Sequence, residues 1–441
     1  MVGQFKEERP TRLGAEDLKE IDSWGSPQLS ALARWANEQL TCSHCRQCTW
    51  ECEVLKTPGI DVGVIEREYD RIMALPEADR NDAVIKLVTD WPDLFVALRR
   101  CCFCGQCTAA CQHHVLAPDR MRAWRELFAN AGYIPEEKLV MVDNEWDIFS
   151  AYRAVYGIAF DEFASLDYAA TVPGTYDTLL FPGCSLASYA PEVTRAVCNW
   201  MNRAGFHWAM STSCCGSPLM SAGRFDRAQA LREGLLDKIK QAGITRVITV
   251  CPGCGEELAV TMAQDVDILP LPEVLLQESA RMEREGIDPG FHPLDRASLT
   301  FFDSCHDRHD NRHANAIRAL MAKYLPQAKQ LEMAHNRKNS LCCGAGGAVG
   351  GYDPAITDRR VWRVIDEARD TGAQNCVTMC PTCTYTIAQA CLNADADRGI
   401  ENHHYLELLF GVTIDWPQVF QQLNDMWTGE YGPWLNQTFF S

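Results

Sequence analysis

The chain has 441 residues, of which 47 % are hydrophobic and 23 % charged, the balance of an ordinary globular protein with room for two or three cores. Its formal net charge of −18, from 41 Lys and Arg against 59 Asp and Glu, and the lack of a broad basic stripe exclude a nucleic-acid binder. The 22 cysteines are too many for a metal-free cytosolic protein, and in a reducing compartment they do not read as a disulfide framework.

The first stretch, residues 1–30, is a polar arm with no apolar core and no small-residue cleavage site, so it does not read as a secretory signal. No run of about 18 apolar residues follows anywhere, so no direct membrane span is expected. The expectation is a cytoplasmic protein that meets a membrane only through partner subunits.

Residues 31–150 carry two copies of one cysteine pattern. Cys42, Cys45, Cys48 and Cys52 have the spacing C-x2-C-x2-C-x3-C, and Cys101, Cys104, Cys107 and Cys111 repeat it, with Cys102 as an extra. Three cysteines in one tight loop grip three corners of a [4Fe–4S] cubane, and the fourth, a helical turn on, turns toward the other cluster. The expected sets are therefore Cys42, Cys45, Cys48 and Cys111 for one cubane, and Cys101, Cys104, Cys107 and Cys52 for the second. Structural zinc needs two pairs around a single tetrahedral ion, not a triple plus a remote fourth. The proline that usually follows the last cysteine is replaced by Glu53 and Gln112, which removes a turn-former but no ligand. Between the motifs, apolar residues such as Ala83, Ile85, Leu87 and Val88 recur at helical spacing, so the module is expected to be helical. Trp50, Arg99 and Arg100 flank the motifs, where ordinary packing and solvated charge compete with shielding of the clusters.

Beyond residue 150 a second pattern occurs twice. Cys184, the pair Cys214-Cys215-Gly216 and Cys251-Pro-Gly-Cys254 are followed by Cys305, the pair Cys342-Cys343-Gly344 and Cys380-Pro-Thr-Cys383. Each copy reads as strand, helix, turn, amphipathic helix and strand, an internal repeat that implies an α/β unit with its cysteines at strand C-terminal ends. We place the first copy at 151–295 and the second at 296–410. Five thiols per copy exceed what a cubane or zinc requires, and an adjacent pair splays apart, which suits an extended multi-iron core. The loop CCGAGGAVGGYD looks like a dinucleotide loop, but no G-x-G-x-x-G register fits because Val349 stands where the third glycine would be, so nucleotide binding is rejected.

The doubled CCG pattern behind two ferredoxin motifs resembles the catalytic subunit of heterodisulfide reductase, in the form that fuses the ferredoxin-like and CCG parts. It is also similar to iron–sulfur subunits of respiratory membrane complexes in sulfate reducers. The resemblance implies a helical ferredoxin domain followed by two α/β CCG domains, each binding a noncubane [4Fe–4S] cluster through five cysteines. On that basis Cys184, Cys214, Cys215, Cys251 and Cys254 hold one cluster, and Cys305, Cys342, Cys343, Cys380 and Cys383 hold the other. Cys102, Cys198, Cys376 and Cys391 are left over and read as small buried hydrophobes. Resemblance alone further implies a membrane partner with haem or quinone sites, other subunits of a redox complex in anaerobic respiration, and a small cysteine-bearing protein or thiol as substrate.

Disulfide cleavage takes two electrons and each cluster passes one, so two similar clusters facing one site suit it. The expected activity is interconversion of a disulfide and two thiols, with the cubanes relaying electrons. A proton source is needed, and His306 abuts Cys305 within a patch that also holds Arg308, His309, Arg312 and His313. Against this stands a solvated helix start whose charges do nothing. The competing function is a pure electron relay, like the iron–sulfur subunit of glycolate or lactate oxidases; a structural zinc scaffold is a third reading that the cysteine spacing disfavours. The aromatic extension, 411–441, suits either a partner surface or the chain's own body.

Overall fold

The computed structural model describes residues 42–56, 59–113, 115, 117–133, 147–393 and 399–435. The expected arm at 1–30 and the last residues of the aromatic extension lie outside these.

The two ferredoxin motifs sit in an all-helical module. Asp61 starts the helix Val62–Met73 by accepting the Val64 N–H at 3.0 Å, an N-cap that satisfies one orphan amide. Pro92 starts the helix Pro92–Arg99, where its missing N–H costs nothing. Ile65, Ile72, Val84, Leu94, Trp124 and Phe128 form the core of this module. The helical periodicity holds in register but not at every residue: Ile85 is 43 % exposed, and Val84 takes the inward place.

Each cysteine repeat folds around a four-stranded parallel sheet. The first comprises β1 (Thr178–Phe181), β2 (Trp208–Met210), β3 (Arg246–Thr249) and β4 (Asp267–Pro270), in the order β2-β1-β3-β4. The second comprises β5 (Ser298–Phe302), β6 (Lys329–Glu332), β7 (Asn375–Thr378) and β8 (Glu401–His404), in the order β6-β5-β7-β8. Leu179 pairs with Ala209 on one side and Val247 on the other, and Thr300 pairs with Leu331 and Cys376 in the same way. Helices cover both faces, so the central strands are buried along almost their whole length, Thr178, Thr300 and Asn375 included. In each sheet the order reverses beside the first strand, which opens a crevice at the strand C-terminal ends.

The two sheets do not make separate cores. Leu180, Met210 and Ile248 of the first copy belong to the same buried cluster as Phe301, Val377 and Leu408 of the second. The aromatic extension closes on this body: in its helix Trp416–Thr428, Trp416 lies 5.1 Å from the Tyr189 ring and Phe420 lies 5.0 Å from Tyr385. Tyr152 donates to Gln422 Oε1 at 2.5 Å and Tyr156 to the Gln422 carbonyl at 2.6 Å. Of the two expectations for the extension, its described part thus takes the intramolecular one. Among the described residues, no helix is long and apolar enough to cross a membrane.

Candidate metal centres

The local backbone explains the motif letters. Gly216 and Gly344 sit at φ of +85° and +86°, a left-handed conformation that side chains resist. There each glycine N–H donates back to the first sulfur of its pair, to Cys214 Sγ at 3.4 Å and Cys342 Sγ at 3.3 Å. In each C-P-x-C segment the proline occupies the first turn of a helix, Pro252–Met262 or Pro381–Asn393, with one cysteine just before it and one inside its first turn. Helix N-termini stabilise anions, which favours thiolates at these places.

The ten CCG cysteines form one continuous file. In the second copy Cys305 approaches Cys342, Cys342 approaches Cys343, and Cys343 Sγ lies 3.2 Å from Cys383 Sγ, which neighbours Cys380. Cys380 Sγ then lies 3.9 Å from Cys251 Sγ of the first copy. From Cys251 the file runs to Cys254, Cys215, Cys214 and Cys184. Outward from the junction, the order is the same in both directions, so the two sets meet head to head.

The two ferredoxin-type motifs interleave. Cys107 has Cys52, Cys101 and Cys48 as its neighbours, and Cys48 has Cys111. Cys42 lies near Cys48, while Cys45 stays exposed. The second of these groups touches the second CCG copy, because Cys104 and Cys102 both approach the Cys342 thiol. Cys102 is therefore more than a space-filler: its sulfur lies 3.5 Å from the Gly344 carbonyl, at the seam between modules. Cys198 and Cys376 are buried as expected, and Cys391 is half-buried.

These donor sets fit iron–sulfur clusters. Burial pushes the Cys42 and Cys101 thiols up to about 11, so they are neutral near pH 7 unless a metal takes the place of the proton. Soft, crowded sulfur ligands of this kind suit iron–sulfur chemistry.

Several residues that sequence reasoning passed over hold the site together. The Arg125 side chain is fully buried and donates to the carbonyls of Cys101 at 3.0 Å, Ser221 at 3.0 Å and Gly347 at 2.8 Å, joining all three modules. It also reaches the Arg99 carbonyl. The glycine-rich loop that mimics a nucleotide site has a different purpose: at Gly346 and Gly347 a side chain would collide with the carbonyls of Cys102 and Cys101. Arg360 Nη1 lies 4.0 Å from Cys342 Sγ, and with Cys52, Cys104 and Cys342 it lines a small cavity between the ferredoxin and CCG cysteines. These thiols hold the Arg360 guanidinium charged against its burial. The repeat marks it, since Arg232 holds the same place in the first copy, as far after Cys215 as Arg360 is after Cys343.

The cationic patch after Cys305 is mostly structural. Arg308 donates to the Cys104 carbonyl at 3.2 Å and the Ser340 carbonyl at 2.6 Å, and Arg312 pairs with Glu273 at 3.0 Å. His313 meets Asp307 at 3.2 Å. His306 differs, because it packs against Gly253 of the first C-P-x-C segment and pairs with the Glu256 carboxylate. Burial works against its charged form, but Glu256 more than offsets this and the pKa rises to about 9. Its side chain keeps 19 % exposure, whereas Cys251 and Cys380 are buried.

Comparison with known proteins adds the family. The model of the cysteine-rich CCG domain matches residues 178–259 and 299–388. An uncharacterized iron-sulfur protein of Methanococcus maripaludis is 24 % identical over 82 % of this chain and 69 % of its own length. One subunit of the fumarate reductase (CoM/CoB) of Methanothermobacter marburgensis is 22 % identical over 83 % of this chain and 71 % of its own. A subunit of the dihydromethanophenazine:CoB–CoM heterodisulfide reductase of Methanosarcina acetivorans is 22 % identical over 82 % of this chain and 91 % of its own. The chain thus carries two cysteine-rich domains of the CCG family and is related over most of its length to that heterodisulfide reductase subunit, which sets it among the iron–sulfur oxidoreductases.

Proposed function

We propose that this chain interconverts a disulfide and two thiols at paired noncubane [4Fe–4S] clusters, with two cubanes carrying electrons to or from a partner. The observation that carries this reading is the 3.9 Å approach of Cys251 and Cys380, which sets the two five-cysteine groups head to head. Reduction consumes one disulfide, two electrons and two protons and yields two thiols. The clusters, when bound, supply one-electron steps and iron sites that accept sulfur.

The protein's own groups supply the rest. Cys42, Cys45, Cys48 and Cys111 would hold the outer cubane, and Cys52, Cys101, Cys104 and Cys107 the inner one, next to the second CCG set. Arg360 places a buried positive charge between the inner cubane ligands and Cys342, which favours an electron there. His306 holds a proton at Nδ1 against Glu256 beside the junction, and both side chains reach solvent. Tyr189 lies beside the junction, donating to the Pro381 carbonyl at 2.5 Å.

The relatives named as reductase subunits support a place in a multi-subunit complex. A haem- or quinone-reactive membrane subunit is the partner this reading requires, with a small thiol or cysteine-bearing protein as substrate. The test is turnover of a small disulfide by the isolated chain under anaerobic conditions, with a reduced viologen as donor. Turnover supports the reductase. Clusters that reduce and reoxidise with no disulfide consumed identify a pure relay.

A further inference from the structure

The two CCG cysteine sets are mirror images in order but not in surroundings. At the far end of the first set stands Asp147, 2 % exposed, with a carboxylate oxygen that lies within 4.8 Å of Cys184 Sγ and Cys214 Sγ, all three donor atoms being that close to one another. Its Oδ1 accepts the Ser150 N–H at 2.7 Å and starts the helix Ile148–Val155. Its Oδ2 is buried and receives no N–H or O–H, and the group that reaches the carboxylate is the Cys184 thiol. Arg153 is close enough to feel this charge, but its guanidinium donates elsewhere, to the Cys184 carbonyl at 3.1 Å, Ser188 Oγ at 2.9 Å and the Thr212 carbonyl at 3.2 Å.

A buried carboxylate oxygen met only weakly by a thiol keeps most of its desolvation penalty, and a thiolate or anionic cluster in place of that thiol would add repulsion. A bond to a metal ion removes both costs. Among the described residues no carboxylate joins Cys305 and Cys342 of the second copy in this way, so the carboxylate is a feature of one set alone.

We propose that the Asp147 carboxylate is an oxygen ligand to the iron held by Cys184 and Cys214, a sixth donor to the first CCG set. The proposal rests on the reading that the CCG sets bind iron.

The test uses the full chain, purified anaerobically from cells supplied with 13C-labelled aspartate. Electron–nuclear double resonance is recorded on the paramagnetic signal that disappears in Cys214→Ser. The expected result is a 13C hyperfine coupling on that signal, lost in Asp147→Asn, whose amide oxygen still caps Ser150, at an unchanged iron content of about 16 per chain. The signal without the coupling, or a coupling that survives in Asp147→Asn, overturns the ligand. If no such signal exists and iron stops at about eight per chain, the cluster reading falls and the ligand with it.

Discussion

Cys251 and Cys380 bring their sulfurs to 3.9 Å although 129 positions separate them in the chain. Each is the first cysteine of a C-P-x-C segment at the end of the third strand of its sheet, so the contact joins equivalent points of two repeats.

This predicts that the two CCG sets fail together. Cys251→Ser and Cys380→Ser each remove a thiolate from the junction, and either is expected to abolish disulfide turnover and any spectral response to thiol. The cubane signals persist in both, because their ligands lie in the helical module. Electron paramagnetic resonance of the dithionite-reduced variants checks this.

How much of this was legible beforehand depends on where a residue sits in its sheet. The central strands β1, β3, β5 and β7 are buried on both faces, and their apolar runs announced the α/β repeat. The edge strands were passed over because β6 reads Lys-Gln-Leu-Glu and β8 reads Glu-Asn-His-His, while β2 has three residues. Edge strands are half covered and tolerate polar side chains, so they lack the apolar signature. The cysteines were legible because their spacing repeats, and the fold gathers the repeated groups together. Arg125 and Asp147 were not, since each acts through contacts made only in the folded chain or as an ordinary-looking helix cap.

Arg360 is expected to tune the electron path. In Arg360→Gln the positive charge beside Cys342 is lost and a reduced cluster there is less well stabilised. Its midpoint potential falls by roughly 60 mV or more, the one-electron equivalent of a tenfold change. The outer cubane near Cys42 and Cys45 keeps its potential. A redox titration followed by resonance spectra separates the two.

Arg125 is expected to hold the three modules together. Arg125→Met leaves several buried carbonyls without a donor, at a cost of at least about 3 kcal/mol. Hydrogen exchange should show faster opening of the helix Ala117–Asn130 and of the loop around Gly347, ahead of the sheet strands.

His404 gives the acid side of the stability profile. Burial lowers its pKa from 6.5 to about 4, and its Nε2–H donates to the Met379 carbonyl at 3.2 Å. Below pH 6.5 the unfolded chain takes up a proton that folded His404 refuses, so stability falls as pH drops from about 6.5 to about 4. The loss from this group approaches about 3 kcal/mol at the lower end. Denaturant unfolding across that window should flatten in His404→Gln, which keeps a donor toward Met379 and does not titrate.

His306→Gln is expected to slow disulfide turnover by about a hundredfold, the lower range of general acid catalysis, with iron content and cubane spectra unchanged. Unchanged turnover assigns the proton to another group.

The central claim is that the head-to-head cysteine sets carry iron that thiols can reach, and one measurement addresses it directly. The chain is purified without oxygen, its iron and acid-labile sulfide are counted, and resonance spectra are taken with and without added thiol. The account predicts about 16 iron per chain and a thiol-dependent change in a signal that is neither cubane's. About eight iron, cubane signals alone and no response to thiol would contradict it and leave the chain an electron relay.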